Sequence, residues 1–348
     1  GTFRANNLFN QDLSSWVTSS VTHMQNTFMN NTVFNNGQSS VVSNTLQWDT
    51  STVTRMDNMF EGATAFNCNI SGWSLGDVTH MTRMFFNASV FNQDLSNWNT
   101  SSAITLQEMF AGAAIFNNGL SAGDSSTIMN WNTSNVTTIE STFASAPAFN
   151  GNISSWDVSN VTKANNLFNG ASRFNQPLGG WDVTSITNMN NMFAAASLFD
   201  QDLNCWCVVH DPSRSSFSNS SPIDSKPLFL PRWGIPCTPL VTLTDSVAHP
   251  NNLIGAEESL IITATFDRDI SGSAQYKIDN GTPCTNMTAV NSTTWNFTID
   301  ADSLTDNTFN VSITAIDYCS SSYDLSDGTQ NGDETGVDTI QFTVDTTH

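Results

Sequence analysis

"FNQDLSSW" occupies residues 9–16 and returns at residues 91–98 as "FNQDLSNW". Looser copies stand at 149–156 ("FNGNISSW") and 174–181 ("FNQPLGGW"). A motif repeated at a fixed interval means one structural unit used many times, and the interval decides the architecture. Placing the Phe residues in register gives a first column of Phe3, Phe28, Phe60, Phe85, Phe110, Phe143, Phe168 and Phe193, with steps of 25, 32, 25, 25, 33, 25 and 25 residues. Six residues after each comes a second Phe: Phe9, Phe34, Phe66, Phe91, Phe116, Phe149, Phe174 and Phe199. A Trp column follows at Trp16, Trp48, Trp73, Trp98, Trp131, Trp156, Trp181 and Trp206. Sixteen of the 23 Phe and eight of the 10 Trp fall in these columns, so the aromatic content serves the repeat.

A unit of this size cannot bury its aromatic face alone, and neighbours must stack on it. Each buried Phe or Trp removes about 150–250 Å² from water, roughly 4–6 kcal/mol as an upper bound. Ordering the chain costs about 1.5 kcal/mol per residue, so the rings need help from hydrogen-bond ladders and further apolar columns. One such ladder is expected from Asn10, Asn35, Asn67, Asn92, Asn117, Asn150 and Asn175, ending in Asp200. An Asn at the same place in each coil can satisfy the backbone of its neighbour. Three residues on run Leu13, Ile70, Leu95, Leu120, Ile153, Leu178 and Leu203, read as one short parallel strand per coil. Ser20, Thr52, Asp77, Ser102, Asn135, Asn160 and Ser185 are preferred N-cap residues, and Val21, Met24 and Phe28 follow at helical spacing. The expected coil is therefore strand, turn, short helix, turn, in an α/β solenoid of about eight coils over 1–206.

The unit "MFxxAxxFNxxLSxWDxSxVTxM" resembles the bacterial surface-protein 26-residue repeat, related to BspA-like leucine-rich repeats. The resemblance covers residues 3 to about 206. It implies a leucine-rich-repeat-like solenoid on a secreted or cell-surface protein, often an adhesin, and no catalytic activity.

Two units are longer, and both open on "NNG": "NNGQSSVVSNTLQ" from Asn35 and "NNGLSAGDSSTIMN" from Asn117. Being three coils apart, they are expected to protrude from one face about 15 Å apart. They read either as loop drift or as a binding ridge. The polar strand face offers Asp12, Asn69, Asp94, Asn152 and Asp202 in one column, with Ser14, Ser71, Ser96 and Ser154 beside them. Carboxylates, amides and hydroxyls in such an array could hydrogen-bond a glycan or a protein loop.

Residues 207–238 carry prolines and cysteines and are read as a capping linker. From 239 to 348 the text alternates, as in "SLIITATF", "WNFTID" and "FNVSITAID". Period-two runs between polar turns predict an all-β sandwich. This part resembles the Ig-like modules of bacterial surface proteins. Cysteine spacing suits disulfides in an oxidising compartment: Cys284 with Cys319, and Cys205 or Cys207 with Cys237. One acidic loop holds Asp327, Asp333, Glu334 and Asp338, oxygen ligands that suit Ca2+, although the spacing is not that of an EF-hand. A solvated acidic turn is the competing reading. Fourteen Asn-x-Ser/Thr sequons occur, only slightly above chance, among them Asn30, Asn87, Asn219, Asn286 and Asn291 as glycosylation candidates.

Charge narrows the function classes. Thirty-one acidic residues against 10 basic ones give a net charge of −21. Phosphate neutralisation needs clustered Lys and Arg, so nucleic acid is excluded as a partner, and an anionic membrane surface repels the chain. No apolar run is long enough for insertion into a membrane. The chain opens inside a repeat, which suggests a piece of a longer multidomain surface protein. His23 and His80 share a column with Arg55 and Lys163, read as solvent-facing variation. No nucleophile–base arrangement or phosphate-binding loop is present, and Asp12, Asp94 and Asp202 are too far apart to flank one glycosidic bond. The expectation is a non-enzymatic extracellular adhesion scaffold whose partner is a protein or glycan on a surface. The alternative is a module of a surface filament or sheath that binds only its own copies.

Overall fold

The computed structural model describes residues 2–38, 44–126, 128–204, 206–208 and 210–234 individually, and from residue 241 onward the backbones of the strands. The chain divides into two units, Gly1–Ile235 and Pro236–His348.

In the first unit the ring columns stack. Within a coil the two Phe lie face to face, as in Phe28–Phe34 and Phe60–Phe66, each with centroids 3.7 Å apart. Between coils, Phe85–Phe110 stand 5.5 Å apart at 4° and Phe110–Phe143 5.7 Å apart at 3°. Trp16 stacks on Trp48 at 6.2 Å and Trp48 on Trp73 at 6.1 Å. Nearly parallel rings at such spacings are slipped sideways, the offset arrangement that ring quadrupoles favour. From Phe28 to Phe193 every Phe of the first column is fully buried. From Trp48 to Trp206 each indole also reaches back one coil: Trp48 Nε1 donates to the Leu13 carbonyl at 3.1 Å, Trp73 to Leu46 at 2.8 Å, and Trp131 to Leu95 at 2.9 Å. The Trp column is thus apolar contact and hydrogen-bond ladder together.

The helix expected over the Val–Met–Phe segment is absent from the described coils, where a run of turns replaces it. The reason lies in the backbone. Residues two before and two after the first Phe sit at left-handed φ, for example Asn26 (56°), Asn30 (57°), Asn166 (56°) and Gly170 (73°). A helix cannot run through those positions. Instead the N–H groups alternate. Met24, Asn26, Phe28 and Asn30 donate forward to the carbonyls of Arg55, Asp57, Met59 and Glu61 in the next coil. Thr27, Met29 and Asn31, lying between them, close turns onto Met24, Asn26 and Phe28. The column read as N-caps does other work: Thr52 Oγ1 and Ser102 Oγ, with Asn135 and Asn160 Nδ2, donate to carbonyls of the preceding coil.

Parallel pairing also falls elsewhere than expected. Single bridges run through His23, Arg55, His80, Thr105, Thr138, Lys163, Asn188 and Ser213, one residue per coil. The Leu column, read as the strand, carries bridges only at Thr45–Asn69 and Ile128–Asn152 among the described residues. In the two long coils, Leu46 and Met129 fill the core position, while Leu120 is only partly buried. Trp73 and Trp156 bond to the carbonyls of Leu46 and Met129, which confirms the equivalence.

The stack continues past Trp206. Phe217, Ile223 and Trp233 occupy the three ring columns of a further coil, with Ile223 fully buried in the place of the second Phe. Phe217 meets Phe193 edge-on at 77°, and Trp233 meets Phe217 at 83°. Edge-on rings end the parallel stacking. Strands β1 (Cys207–Val208) and β2 (Arg232–Trp233) pair in parallel across this coil.

The second unit holds two sheets. Strands β3 (Val241–Asp245), β5 (Ser259–Phe266), β9 (Thr294–Asp300) and β8 (Thr288–Ala289) lie in that order, all antiparallel. Strands β4 (Leu253–Gly255), β11 (Thr335–Asp345), β10 (Thr308–Asp317), β6 (Ile270–Ile278) and β7 (Thr285–Asn286) form the other, in which β4 joins β11 in parallel.

Close approach between coils makes one glycine position testable. Gly112 has φ 72°, and a Cβ there would collide with Asn87 Oδ1 of the coil before it. Gly72 has open space around its Cβ direction. Gly112→Ala is expected to cost about 1–3 kcal/mol and Gly72→Ala well under 1 kcal/mol, measured by chemical denaturation of the two variants.

Candidate functional site

The Asn column is a continuous ladder. Asn10 Oδ1 accepts the N–H of Asn35 at 2.7 Å, Asn35 that of Asn67 at 2.9 Å, and Asn67 that of Asn92 at 2.9 Å. It goes on through Asn117, Asn150 and Asn175 to Asp200. At that end Lys226 Nζ grips Asp200 at 2.5 and 2.7 Å and lies 4.7 Å over the Phe229 ring. A carboxylate therefore replaces the amide where the next partner is a cation.

The column proposed to bind a ligand is occupied with its own turns. Asp12 Oδ1 accepts the Ser14 N–H at 2.8 Å, Asn69 that of Ser71 at 2.9 Å, and Asp94 that of Ser96 at 2.9 Å. Asn152 does the same for Ser154 at 3.0 Å and Asp202 for Asn204 at 2.9 Å. These are Asx turns that shape the approach to each Trp. Asp12, Asp94 and Asp202 still face solvent. The Ser14 hydroxyl and N–H hold the Asp12 carboxyl below its usual value, and the Ser126 and Ser51 groups do so for Asp124 and Asp49.

The two "NNG" motifs are locks. Asn36 and Gly37 have φ 52° and 80°, and Asn118 and Gly119 have 52° and 82°. Buried Asn36 Oδ1 accepts the Leu13 N–H at 2.6 Å while its Nδ2 donates to Ser14 Oγ at 2.9 Å. Asn118 repeats this on Leu95 (2.8 Å) and Ser96 (2.8 Å). Gly37 and Gly119 bring their N–H groups to Asn10 and Asn92 at 2.9 and 3.0 Å. A Cβ on Gly119 would lie 3.0 Å from the Asp94 nitrogen. This explains why "FNQDLS" is spelled identically at 9–14 and 91–96: each copy is the seat for an "NNG" in the coil above. The three-coil block repeats at 82 residues from Phe3 to Phe85 and 83 from Phe60 to Phe143. The seat in one coil and the lock in the next gave the signal, and a column-by-column reading overlooks it.

The second insertion is expected to protrude, yet it is tied down along one edge. Gly123 N–H donates to the Ala148 carbonyl at 2.9 Å, and Asn150 Nδ2 donates to the Gly123 carbonyl at 2.8 Å. Ser121, Ala122 and residues 124–126 remain exposed. In the first insertion, residues 39–43 lie outside the described residues.

Charged groups gather on the face of the bridge column. Arg55 Nε meets Asp57 Oδ2 at 2.9 Å, and Arg83 joins Glu61 and Glu108, both at 2.9 Å, across three coils. The hydrogen bond to Glu61 raises the Arg83 guanidinium above its usual value. The imidazoles of His23 and His80 are held through Nδ1 by the hydroxyls of Thr22 (2.9 Å) and Thr79 (2.8 Å). Cys68 is buried and free, and burial pushes its thiol up to about 12. Its Sγ lies 2.9 Å from Asn44 Oδ1 and 3.3 Å from Oδ1 of Asn35 in the ladder, and in its column Gln93 likewise bonds the Asn ladder.

Of the sequons, Asn30 and Asn87 are exposed but lean over Gly62 and Gly112, and Asn219 is exposed. Asn286 lies on β7, and Asn291 is outside the described residues. Cys205, Cys237, Cys284 and Cys319 are also outside them, as is the side chain of Cys207. So are Asp327, Asp333 and Glu334, while Asp338 is placed only as backbone on β11. Among the described residues no three His, Cys, Asp or Glu converge to hold a metal, and no helix is long and apolar enough to cross a membrane.

Residues 1–45, 36–127 and 120–227 each match the family described as "Mycoplasma protein of unknown function, DUF285". The chain belongs to that family. No curated protein and no solved structure matches it. The three matched stretches are tandem, as the stacking of like coils requires.

Asn118→Ala leaves the buried Leu95 N–H without an acceptor, and a loss of about 1–3 kcal/mol is expected in denaturant melts, with the exposed Gly72→Ala as reference. For Asp12 the sign is fixed by its lowered folded-state value. Its turn stabilises the fold above about pH 4, the unfolded value, and that contribution goes as pH falls through the lower folded value. Asp12→Asn keeps the acceptor, so acid titration of its stability should be shallower than that of the wild type.

Proposed function

We propose that this chain is an extracellular adhesion scaffold: a leucine-rich-repeat-like solenoid of the surface-repeat kind, joined to an Ig-like module. The observation that carries the reading is where polar groups go. The inward ones are consumed in ladders between coils, from Asn10 to Asp200 and along the indoles. The outward hydroxyl and Asx side chains are also bonded within and between coils, but they recur at the surface in columns with the same pitch as the coils. An architecture that spends its sequence on regular exposed columns suits the recognition of an extended partner. For the second unit, support comes from strand order. The sequence β3-β5-β9-β8 opposite β4-β11-β10-β6-β7 is that of strands A-B-E-D and A′-G-F-C-C′ in an immunoglobulin-type sandwich. Protein loops or glycans on a surface are the proposed partners. Ca2+ in the 327–338 loop and the disulfides belong to the same extracellular reading, supported by composition and spacing alone.

The test is incubation of the full chain with glycan arrays and matrix proteins, alongside electron microscopy of the chain alone. Saturable binding to an array component supports adhesion. Ordered polymers with no bound ligand would overturn it in favour of a filament or sheath module.

A further inference from the structure

We propose that the column running from Thr22 to Thr187, with the hydroxyl columns beside it, is an ice-binding face. Such a face is separate from the adhesion reading and does not depend on it.

The column is locked to one pitch. The N–H groups of Thr54, Thr79, Ile104, Thr137, Thr162 and Thr187 each donate to the carbonyl of the column residue one coil back, at 2.9–3.0 Å. In the five Thr among them Oγ1 donates to that same carbonyl, at 3.1–3.2 Å. The second bond fixes a β-branched side chain that has few rotamers to begin with. The hydroxyl proton is thus engaged inside the fold. Oxygen lone pairs and methyl groups stay uncommitted, and they recur at about 4.8 Å. Behind the column Val53, Val78, Ala103, Val136, Val161 and Ile186 are fully buried, so its floor is part of the core.

Composition narrows what such a face can hold. The columns that begin at Ser19, Ser20 and Thr22 run through seven coils, and every position in them is exposed or half-buried. Sixteen of their 21 positions are Ser or Thr and one, Asp77, is charged, on a chain with 31 acidic residues. They contain no Trp, Tyr or Arg, the residues that anchor protein partners. They contain no Lys either, so an anionic polymer finds no cation there. Asp49, Asp157 and Asp182 stand at the rim, and each accepts a hydroxyl of its own turn. What remains is a rigid, nearly uncharged array with a single spacing. Hexagonal ice repeats its oxygens at close to that spacing along one crystal direction. Waters held on these acceptors, with methyl groups between them, stand in register with the crystal before contact. Acceptors fixed in advance lower the ordering cost of binding. Liquid water has no lattice, so the array discriminates solid from liquid.

The experiment is slow growth of ice in a dilute solution of the full chain at neutral pH. The fraction of chain taken into the ice is read beside an unrelated acidic protein, and the crystal habit is recorded. Enrichment of the chain in ice and faceted crystals are expected. The double variant Thr137→Lys, Thr162→Lys puts charge and bulk in the middle of the column, and both effects should be lost. Ser172→Lys, Ser197→Lys alters a similar hydroxyl ladder on another part of the coil and should keep both effects. Thermal melts of the two double variants report folding; if the first pair lowers the melt, Thr162→Lys alone is read in its place. Exclusion of the wild type from ice would overturn the face. So would enrichment of the folded Thr variant equal to that of the wild type, or equal losses in both double variants. Ice binding with no captured array component leaves the face standing without the adhesion reading, and the reverse result leaves the adhesion reading without the face.

Discussion

Half of the backbone N–H groups in each Phe-bearing turn run leave their own coil and close on the next. Met24, Asn26, Phe28 and Asn30 do so together, and the same set recurs at Met56, Asn58, Phe60 and Gly62. Everything else follows from that division. A segment that sends alternate donors outward cannot be a helix, so left-handed residues must turn it between donations. Neighbouring coils are then held at one spacing, which forces like residues to sit over like residues. Rings stack on rings, Asn on Asn and small residues beside large ones, because a fixed pitch favours the same size and polarity at the same place in each coil. A coil by itself would leave these donors unpaired and its rings in water, so stability belongs to the stack rather than to the repeat.

The columns were legible from residue spacing alone. Phe, Trp and Asn recur at one interval, and the structure places each in the role that the chemistry of its side chain suggests. The local conformation was not legible. Val21, Met24 and Phe28 have helical spacing, and the Ser/Thr/Asn column before them looks like a set of caps. The decisive signal was the residue between, Asn26, Asn58 or Asn166, which tolerates positive φ. In a helix reading it passes as a neutral surface position. Leu120 was misplaced for a related reason: an insertion shifts the core position to Met129, and spacing from the second Phe no longer counts true.

The proposed ligand column teaches a similar lesson. Asp12, Asn69, Asp94, Asn152 and Asp202 are aligned, with the three Asp exposed and the two Asn half-buried, and the alignment suggested recognition. Each has an acceptor already engaged by the N–H two residues on, so the alignment is explained by turn formation. Asp12 and Asp94 stand before a long coil and Asn69 and Asn152 after one, which follows the three-coil block set by the "NNG" locks. By contrast, the shared column of His23, Arg55 and His80 was legible from spacing, and the bridge pairing adds that they sit on adjoining coils. Function in such a protein is a matter of which columns the stack leaves uncommitted.

The central claim is that coils are joined ring over ring and indole to carbonyl. Hydrogen exchange of the indole N–H groups, followed by NMR on the folded chain, addresses it most directly. Slow exchange is predicted for Trp48, Trp73, Trp98, Trp131, Trp156, Trp181 and Trp206, each bonded to a buried carbonyl one coil back, and fast exchange for Trp16, which is 47 % exposed. Fast exchange at all eight, or one common rate that includes Trp16, would contradict the stacked-coil account.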